Sequence, residues 1–199
     1  MNAKDLQIQT IQWEPYYSEI AMPYVSFARG LVDLLRNRSL TISVAESCTG
    51  GLLAKSVTSI PGSSQVFDCG VVCYSNLAKS NVVGVHREVI EGSGAVSRRV
   101  AQELAIGMLK ISCASIGIGI TGIAGPVGDF KSFEKDDGTK QKPVGLVHIA
   151  IIGDPELGLS INWHHKYYLT GARTAIQKKA SEAAMFNLIE CVEGESMKC

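Results

Sequence analysis

Several potentially reactive side chains lie together in one short segment. Residues 46–51, with the sequence ESCTGG, separate the β-branched run LTISVA from the apolar run LLAKSV. Ser47 could attack a carbonyl carbon if a base removes its proton. Gly50 and Gly51 allow a tight turn, and the free N–H groups that begin a helix can bind an anion or an oxyanion. The segment therefore indicates nucleophilic chemistry, although Ser47 or Thr49 could equally serve only as a helix cap.

A nucleophilic serine needs a base, and Lys79 is the candidate in this sequence. Burial can lower the pKa of a lysine from about 10.4 to roughly 7–8, so that its neutral amine accepts a proton. Tyr74, five residues earlier, could relay a proton or orient that amine. Alternatively, Lys79 is a solvated lysine on a helix, and Tyr74 is a half-buried aromatic residue of the sheet, without a catalytic role. The four histidines lie in poorer local contexts, within predicted strands or a turn.

Other groups near these residues have competing interpretations. Cys48 is a rival nucleophile, although no histidine lies near it in the sequence to activate it. Glu46 could pair with a lysine, bind substrate, or be a carboxylate at the sheet edge. Cys69 and Cys73 lie four residues apart, but no second Cys/His pair completes a zinc-binding set, so we interpret them as core thiols. We therefore expect no metal there, and we also expect no cofactor.

Strands and helices that alternate along the chain must position these groups. Apolar runs predict strands at 40–47, 64–75, 114–126, 143–153 and 159–169, and the strand at 64–75 is expected to be buried on both faces in its later half. Periodic apolar residues predict helices at 25–39, 50–60, 76–85, 97–112 and 172–192. This alternation predicts an α/β fold, a three-layer α/β/α sandwich with a largely parallel or mixed central sheet.

Three polar turns fall at the ends of predicted strands, at 45–51, 74–79 and 121–126. In α/β sheets, sites form at the carboxyl ends of the strands, where helix N-termini face the opening. We therefore expect these three turns to meet at one pocket, although they are far apart in the sequence.

Composition excludes several classes of protein. The 199 residues carry 19 basic and 19 acidic side chains, and no apolar stretch reaches the length of a transmembrane helix. We expect a single cytoplasmic domain that binds neither nucleic acid nor a membrane. The six cysteines are irregularly spaced, as is typical of reduced core thiols. We divide the chain into an N-terminal arm at 1–24, a domain at 25–193 and a tail at 194–199.

Six short motifs, in order, resemble one family. The segments ESCTGG, IPGSS, YSNLAK, GAVS, TGIAGP and KPVG are similar to those of the CinA C-terminal domain family, and the resemblance runs from about Phe27 to about Val192. That family includes the nicotinamide-nucleotide amidases. The resemblance implies a three-layer α/β/α domain that hydrolyses nicotinamide mononucleotide to nicotinate mononucleotide and ammonia without a metal.

The resemblance also implies roles for individual residues. It makes Ser47 the nucleophile, Lys79 the general base, Tyr74 their neighbour and Thr121 a further active-site hydroxyl. Arg173 and Lys142 are our candidates for binding the substrate phosphate. The full set of predicted substrate-binding residues is Glu46, Thr49, Gly50, Gly51, Asn76, Gly122, Lys142 and Arg173.

Two departures from the family pattern leave alternatives open. Val127-Gly128-Asp129 and a polar insertion to about Gln141 follow TGIAGP, where the family usually has a glycine pair, and Gln177 replaces a second arginine. A non-catalytic domain that binds pyridine nucleotides is one alternative, and an amidase for a related amide, such as nicotinamide riboside, is another.

We also expect the chain to form a homo-oligomer, a dimer. Trp163, Tyr167 and Leu169 would share one face of an outer strand, and an exposed aromatic face often marks an interface. Alternatively, the C-terminal helix covers that face.

Overall fold

A computed structural model describes residues 22–128 and 142–195 of the chain. The helices in this part are α1 (Met22–Asn37), α2 (Leu52–Thr58), α3 (Asn76–Val83), α4 (Arg87–Ser93), α5 (Arg98–Ile111) and α6 (Arg173–Glu195). The strands are β1 (Ile42–Glu46), β2 (Phe67–Val72), β3 (Ile116–Gly122), β4 (Leu146–Gly153) and β5 (Asn162–Tyr168). Most of the predicted arm, the insertion at 129–141 and the last four residues lie outside the described residues.

The strands form one mixed sheet in the order β2-β1-β3-β4-β5. β1 pairs in parallel with both β2 and β3, while β4 and β5 continue the sheet in antiparallel fashion. The carboxyl ends of β1, β2 and β3 therefore lie at the same edge of the sheet. The predicted three-layer α/β/α sandwich with a mixed sheet is confirmed.

Helices cover both faces of the sheet. α1, α2 and α6 pack against one another over one face, and α5 packs over the other with α3 and α4 beside it. The larger core lies on the α1/α2/α6 side, and its buried side chains include Leu31, Val44, Ile118, Ile149 and Leu188. Burial of each such side chain contributes roughly 1.5–3 kcal/mol.

Alternating glycines bring α5 directly onto the central strand. A Cβ atom at Gly117 would lie 2.1 Å from the carbonyl oxygen of Ala105, and one at Gly119 would lie 2.1 Å from that of Ala101. Glycines in a strand allow another backbone or a ligand to approach closely, and at residues 116–120, with the sequence IGIGI, a helix backbone does so.

Strand β2 corrects one prediction. Its residues alternate between half-buried and exposed, so its later half is not buried on both faces as we expected. The reason is its position, because β2 is the edge strand beyond β1 and its outer face is only partly covered. Helix α4, which begins after His86, was not predicted as a helix at all.

The aromatic face of β5 is covered. Trp163, Tyr167 and Leu169 pack against the larger core, and the Asn187 side chain of α6 donates a hydrogen bond to the Tyr167 hydroxyl at 2.6 Å. The alternative, in which the C-terminal helix covers this face, is therefore correct. This face does not support a dimer, and self-association stays a prediction. Among residues 22–128 and 142–195, no helix is both long and apolar enough to span a membrane.

Candidate active site

The three predicted turns meet at one pocket. A cavity of about 250 Å³ lies at the carboxyl ends of β1, β2 and β3. Seven predicted site residues line it: Ser47, Tyr74, Asn76, Lys79, Thr121, Gly122 and Arg173. Cys48 and the loop residues Ala95 and Val96 complete part of its wall. The expectation that turns distant in sequence would converge is confirmed.

Ser47 and Lys79 form a direct pair. Ser47 follows the last residue of β1, and its N–H donates to the Ile120 carbonyl oxygen at 3.0 Å, which fixes the start of the turn against β3. Lys79 lies in the first turn of α3, which Ser75 caps by accepting a hydrogen bond from the Ala78 N–H. The Lys79 Nζ atom lies 2.9 Å from Ser47 Oγ. Both side chains are buried, Lys79 to 2% exposure and Ser47 to 7%.

The surroundings of Lys79 suit a neutral amine. Burial lowers its pKa from the ordinary 10.5, and nearby Cys73 and Cys48 oppose this only in part. Nζ also contacts the carbonyl oxygens of Cys73 and Tyr74, at 3.0 and 3.3 Å. A neutral amine has two N–H donors and one lone pair. If the two carbonyls accept the donors, the lone pair is left for the proton of the Ser47 hydroxyl. No carboxylate pairs with Lys79 among the described residues.

Cys48 is poorly suited to the role of rival nucleophile. Its side chain is buried, and desolvation raises the pKa of its thiol to about 12. Because the thiolate is the reactive form, almost none of this thiol is reactive near neutral pH. The histidines are also excluded as the base, since none lines the pocket formed by the described residues. His148 on β4 and His164 on β5 instead contact each other, with 3.0 Å between His148 Nδ1 and His164 Nε2.

Glu46 does not line the pocket, contrary to our prediction for substrate binding. Its carboxylate is 1% exposed and accepts hydrogen bonds from the N–H groups of Gly51, Leu53 and Ala54, at 3.0, 3.1 and 2.8 Å. It therefore caps α2 and neutralises the positive end of the helix dipole. None of our three interpretations of Glu46 included this role.

This cap also corrects the predicted oxyanion site. Three N–H groups at the start of α2 donate to Glu46, and the Leu52 N–H donates to the Thr49 carbonyl oxygen at 3.3 Å. The Gly50 N–H donates to the Ser47 carbonyl oxygen at 3.2 Å. Gly50, Gly51 and Thr49 do not line the pocket. The two glycines instead make the turn, with φ angles of +66° and +95°. Cys48 follows Ser47 directly, and in the described part of the chain its N–H donates to no backbone acceptor. This N–H is our candidate oxyanion donor.

Lys142 also lies outside the pocket, so the prediction that it binds the substrate phosphate is wrong for this structure. It is fully buried, and Nζ donates to the carbonyl oxygens of Ser93 and Val96 at 3.0 and 2.6 Å. Thr121 supports the same loop, because its hydroxyl donates to the Ala95 carbonyl oxygen at 2.8 Å. Lys142 and Thr121 thus hold the pocket wall formed by the GAVS motif. The Thr121 oxygen keeps acceptor capacity toward the pocket that it lines.

Arg173 spans the mouth of the pocket. Its guanidinium donates to the Gly125 carbonyl oxygen at 2.6 Å and to the Tyr74 hydroxyl at 2.5 Å. The side chains of Arg173 and Tyr74 are exposed, so a ligand can reach both. A guanidinium has five N–H donors, and those not used in these contacts can bind an anionic group of a ligand.

Gln177 was missed as a functional residue. We noted it only as a departure from the family pattern, but its side-chain amide donates to the Cys48 carbonyl oxygen at 2.9 Å. Its spacing from Arg173, four residues along the same helix, was the available signal, because residues so spaced share one helix face.

The fold and site together define an α/β/α domain with a buried serine–lysine pair at the carboxyl ends of parallel strands. Solved structures share this fold. The crystal structure of competence/damage inducible protein CihA from Agrobacterium tumefaciens is 38% identical, with a TM-score of 0.75, and the match covers 84% of this chain and 94% of that one. A competence or damage-inducible protein from Enterobacter asburiae is 27% identical, with a TM-score of 0.73 and coverage of 85% and 98%.

The sequence comparison identifies the family. The model of the CinA C-terminal domain matches residues 25–192, so the chain belongs to this family. A CinA-like protein from Chlorobium limicola is 43% identical over 152 residues, which are 76% of this chain and 33% of that protein. A CinA-like protein from Thermotoga is 39% identical over 164 residues, or 82% and 36% of the two chains. The chain thus spans about a third of the length of the curated relatives it matches.

Proposed function

We propose that the chain is an amidohydrolase that converts nicotinamide mononucleotide to nicotinate mononucleotide and ammonia. The observation that carries this proposal is the buried contact between Lys79 Nζ and Ser47 Oγ at 2.9 Å. A primary amide is a poor electrophile, so its hydrolysis requires an activated nucleophile, an oxyanion donor and a proton source for the leaving amine. The choice of substrate follows from the family resemblance.

The first half-reaction forms an acyl-enzyme. Ser47 Oγ attacks the carboxamide carbon while the neutral Lys79 amine takes the hydroxyl proton. In this step the N–H of Cys48, the residue after the nucleophile, stabilises the oxyanion, and such a donor contributes a factor of roughly 10²–10³ to the rate. The C–N bond then breaks, and the Lys79 ammonium returns its proton to the leaving nitrogen, which departs as ammonia.

The second half-reaction repeats these steps with water. Water attacks the ester carbon while Lys79 takes one of its protons, and the ester bond to Ser47 breaks. Lys79 then returns the proton to Ser47 Oγ, so the enzyme is regenerated and the acid is released. One base thus serves both steps.

The charges at the site suit a nucleotide that carries a cationic pyridinium ring and a phosphate. The pyridinium, bound beside Lys79, would lower the pKa of that lysine further, because two like charges repel. The phosphate needs a cationic side chain that a ligand can reach, and the Arg173 guanidinium is one at the mouth of the pocket. The loop that follows Pro126 departs from the family pattern, and this departure favours a second candidate, a domain that binds the nucleotide without turnover.

Ammonia release from nicotinamide mononucleotide by the purified chain tests the proposal. We expect turnover by the wild type and a loss of about 10³-fold or more in Ser47→Ala. Ser43→Ala is the matched control, since it removes a buried hydroxyl of β1, four residues earlier, that makes no hydrogen bond within the described chain. It should keep wild-type activity.

The alternatives predict different results in the same assay. Nicotinamide riboside as the better substrate would show that the 5′-phosphate is not recognised. Binding of the mononucleotide without ammonia release would favour the non-catalytic domain. Full activity in Ser47→Ala would contradict the serine mechanism.

A further inference from the structure

Helix α6 contacts the turn that carries Ser47 from across the domain. Within residues 46–51, the contacts described above tie the backbone to β3, to itself and to the Glu46 cap. Gln177 of α6 adds a contact from across the domain, because its Nε2 donates to the Cys48 carbonyl oxygen at 2.9 Å. This carbonyl belongs to the residue that directly follows the nucleophile.

The same helix face contacts two other parts of the site. Arg173, one turn earlier on α6, donates to the Gly125 carbonyl oxygen and to the Tyr74 hydroxyl. Gln177 is half-buried beneath it, whereas Arg173 is exposed. The first two turns of α6 thus set the relative positions of the nucleophile turn, Tyr74 and the loop after β3.

We propose that Gln177 is a positioning residue, which holds the Ser47 turn in its reactive geometry through the Cys48 carbonyl. This inference rests on the proposed function. The amide holds the peptide plane between Cys48 and Thr49, and this plane adjoins, across the Cys48 Cα atom, the peptide plane that carries the Cys48 N–H. A displacement of about 1 Å in such a turn can cost about 10²-fold in rate.

The test compares three variants. Gln177→Met keeps the length of the side chain and removes its donors, and Gln177→Lys restores an N–H donor. Gln102→Met is the matched control, a half-buried glutamine on α5 that lies away from the pocket. We expect Gln177→Met to lower kcat by about 10- to 100-fold, with KM changed less than about threefold. Gln177→Lys should retain kcat to within about threefold, and Gln102→Met should match the wild type.

A second readout does not depend on the natural substrate. A fluorophosphonate probe phosphonylates an activated serine: Ser47 Oγ bonds to phosphorus, fluoride leaves, and Lys79 takes the hydroxyl proton. Intact mass measured over time gives the rate of this reaction. We expect Gln177→Met to slow it about tenfold or more, and Ser47→Ala to abolish it.

The outcomes separate this inference from the proposed function. Labelling of the wild type without release of ammonia would refute the substrate, while the ratio of labelling rates still decides the role of Gln177. Equal labelling rates in the wild type and Gln177→Met would overturn the inference, as would a wild type that is not labelled at Ser47. If Gln177→Met does not fold, Gln177→Lys provides the test. A Gln177→Lys variant that unfolds at the same midpoint as the wild type but has lost kcat would overturn the inference.

Discussion

Glu46→Gln tests how the nucleophile turn is built. In the wild type, Oε2 accepts from the Gly51 and Leu53 N–H groups, and Oε1 accepts from the Ala54 N–H. A glutamine has one carbonyl oxygen and one NH2 group, so it can keep the two contacts of Oε2 only by turning its NH2 toward the Ala54 N–H. Two donors then face each other, and the remaining contacts lose the carboxylate charge.

The geometry sets the size of the effect. Loss of one charge-assisted hydrogen bond in a buried site costs about 1.5–3 kcal/mol, and conversion of two others to neutral bonds adds about 1–2 kcal/mol. The total is about 3–5 kcal/mol. For a chain of this size, a change of 1 kcal/mol shifts the melting temperature by about 2–4 °C, so we expect a decrease of roughly 6–20 °C.

Thermal unfolding followed by circular dichroism measures this decrease. Glu103→Gln is the matched control, because the Glu103 carboxylate also accepts from a backbone N–H, that of His86 at the start of α4, but it lies nearer to solvent. We expect that control to shift the melting temperature by less than about 4 °C. A melting temperature of Glu46→Gln within 2 °C of the wild type, by the same order-of-magnitude relation, would refute the capping role.

Three further predictions concern Lys79 and Cys48. Burial lowers the pKa of Lys79, and the proposed reaction needs its neutral amine, so kcat/KM should fall as the pH drops through that pKa. The midpoint of this fall should lie below pH 10.5. A midpoint at or above pH 10.5 in the pH–rate profile would contradict this prediction. The unfolded chain binds that proton more tightly, so this lysine should also make stability increase with pH up to 10.5, and Lys79→Met should remove the increase in denaturant titrations. Cys48→Ala should retain kcat to within about tenfold, because a thiol with a pKa of about 12 is not the nucleophile. In the ammonia assay, a loss of activity as large as that of Ser47→Ala would restore Cys48 as a candidate nucleophile.

The sequence predicts those parts of the site that depend on local order. Ser47 ends one predicted strand and Lys79 lies four residues after another, and the rule that sites form at the carboxyl ends of strands brings them together. The three-layer fold follows in the same way from the alternation of strands and helices. These inferences need no knowledge of which strands are neighbours.

The remaining features depend on tertiary contacts. The Glu46 role depends on how closely α2 returns to the end of β1, and the burial of Lys142 depends on the loop that accepts its hydrogen bonds. Strand β2 is half-exposed because it lies at the edge of the sheet, and its sequence does not reveal the strand order. Gln177 acquires a role only because α6 crosses next to the turn after β1.

In the proposed mechanism, Ser47 and Lys79 act as one catalytic unit. The direct test is the rate of ammonia release from nicotinamide mononucleotide by Ser47→Ala, Lys79→Met and the double variant. Removal of a general base costs about 10²–10⁴-fold, and residues that act as a unit show strongly non-additive losses. We predict that the double variant is no slower than Ser47→Ala alone. Losses that multiply in the double variant would contradict this mechanism, because they would show that the two side chains act independently.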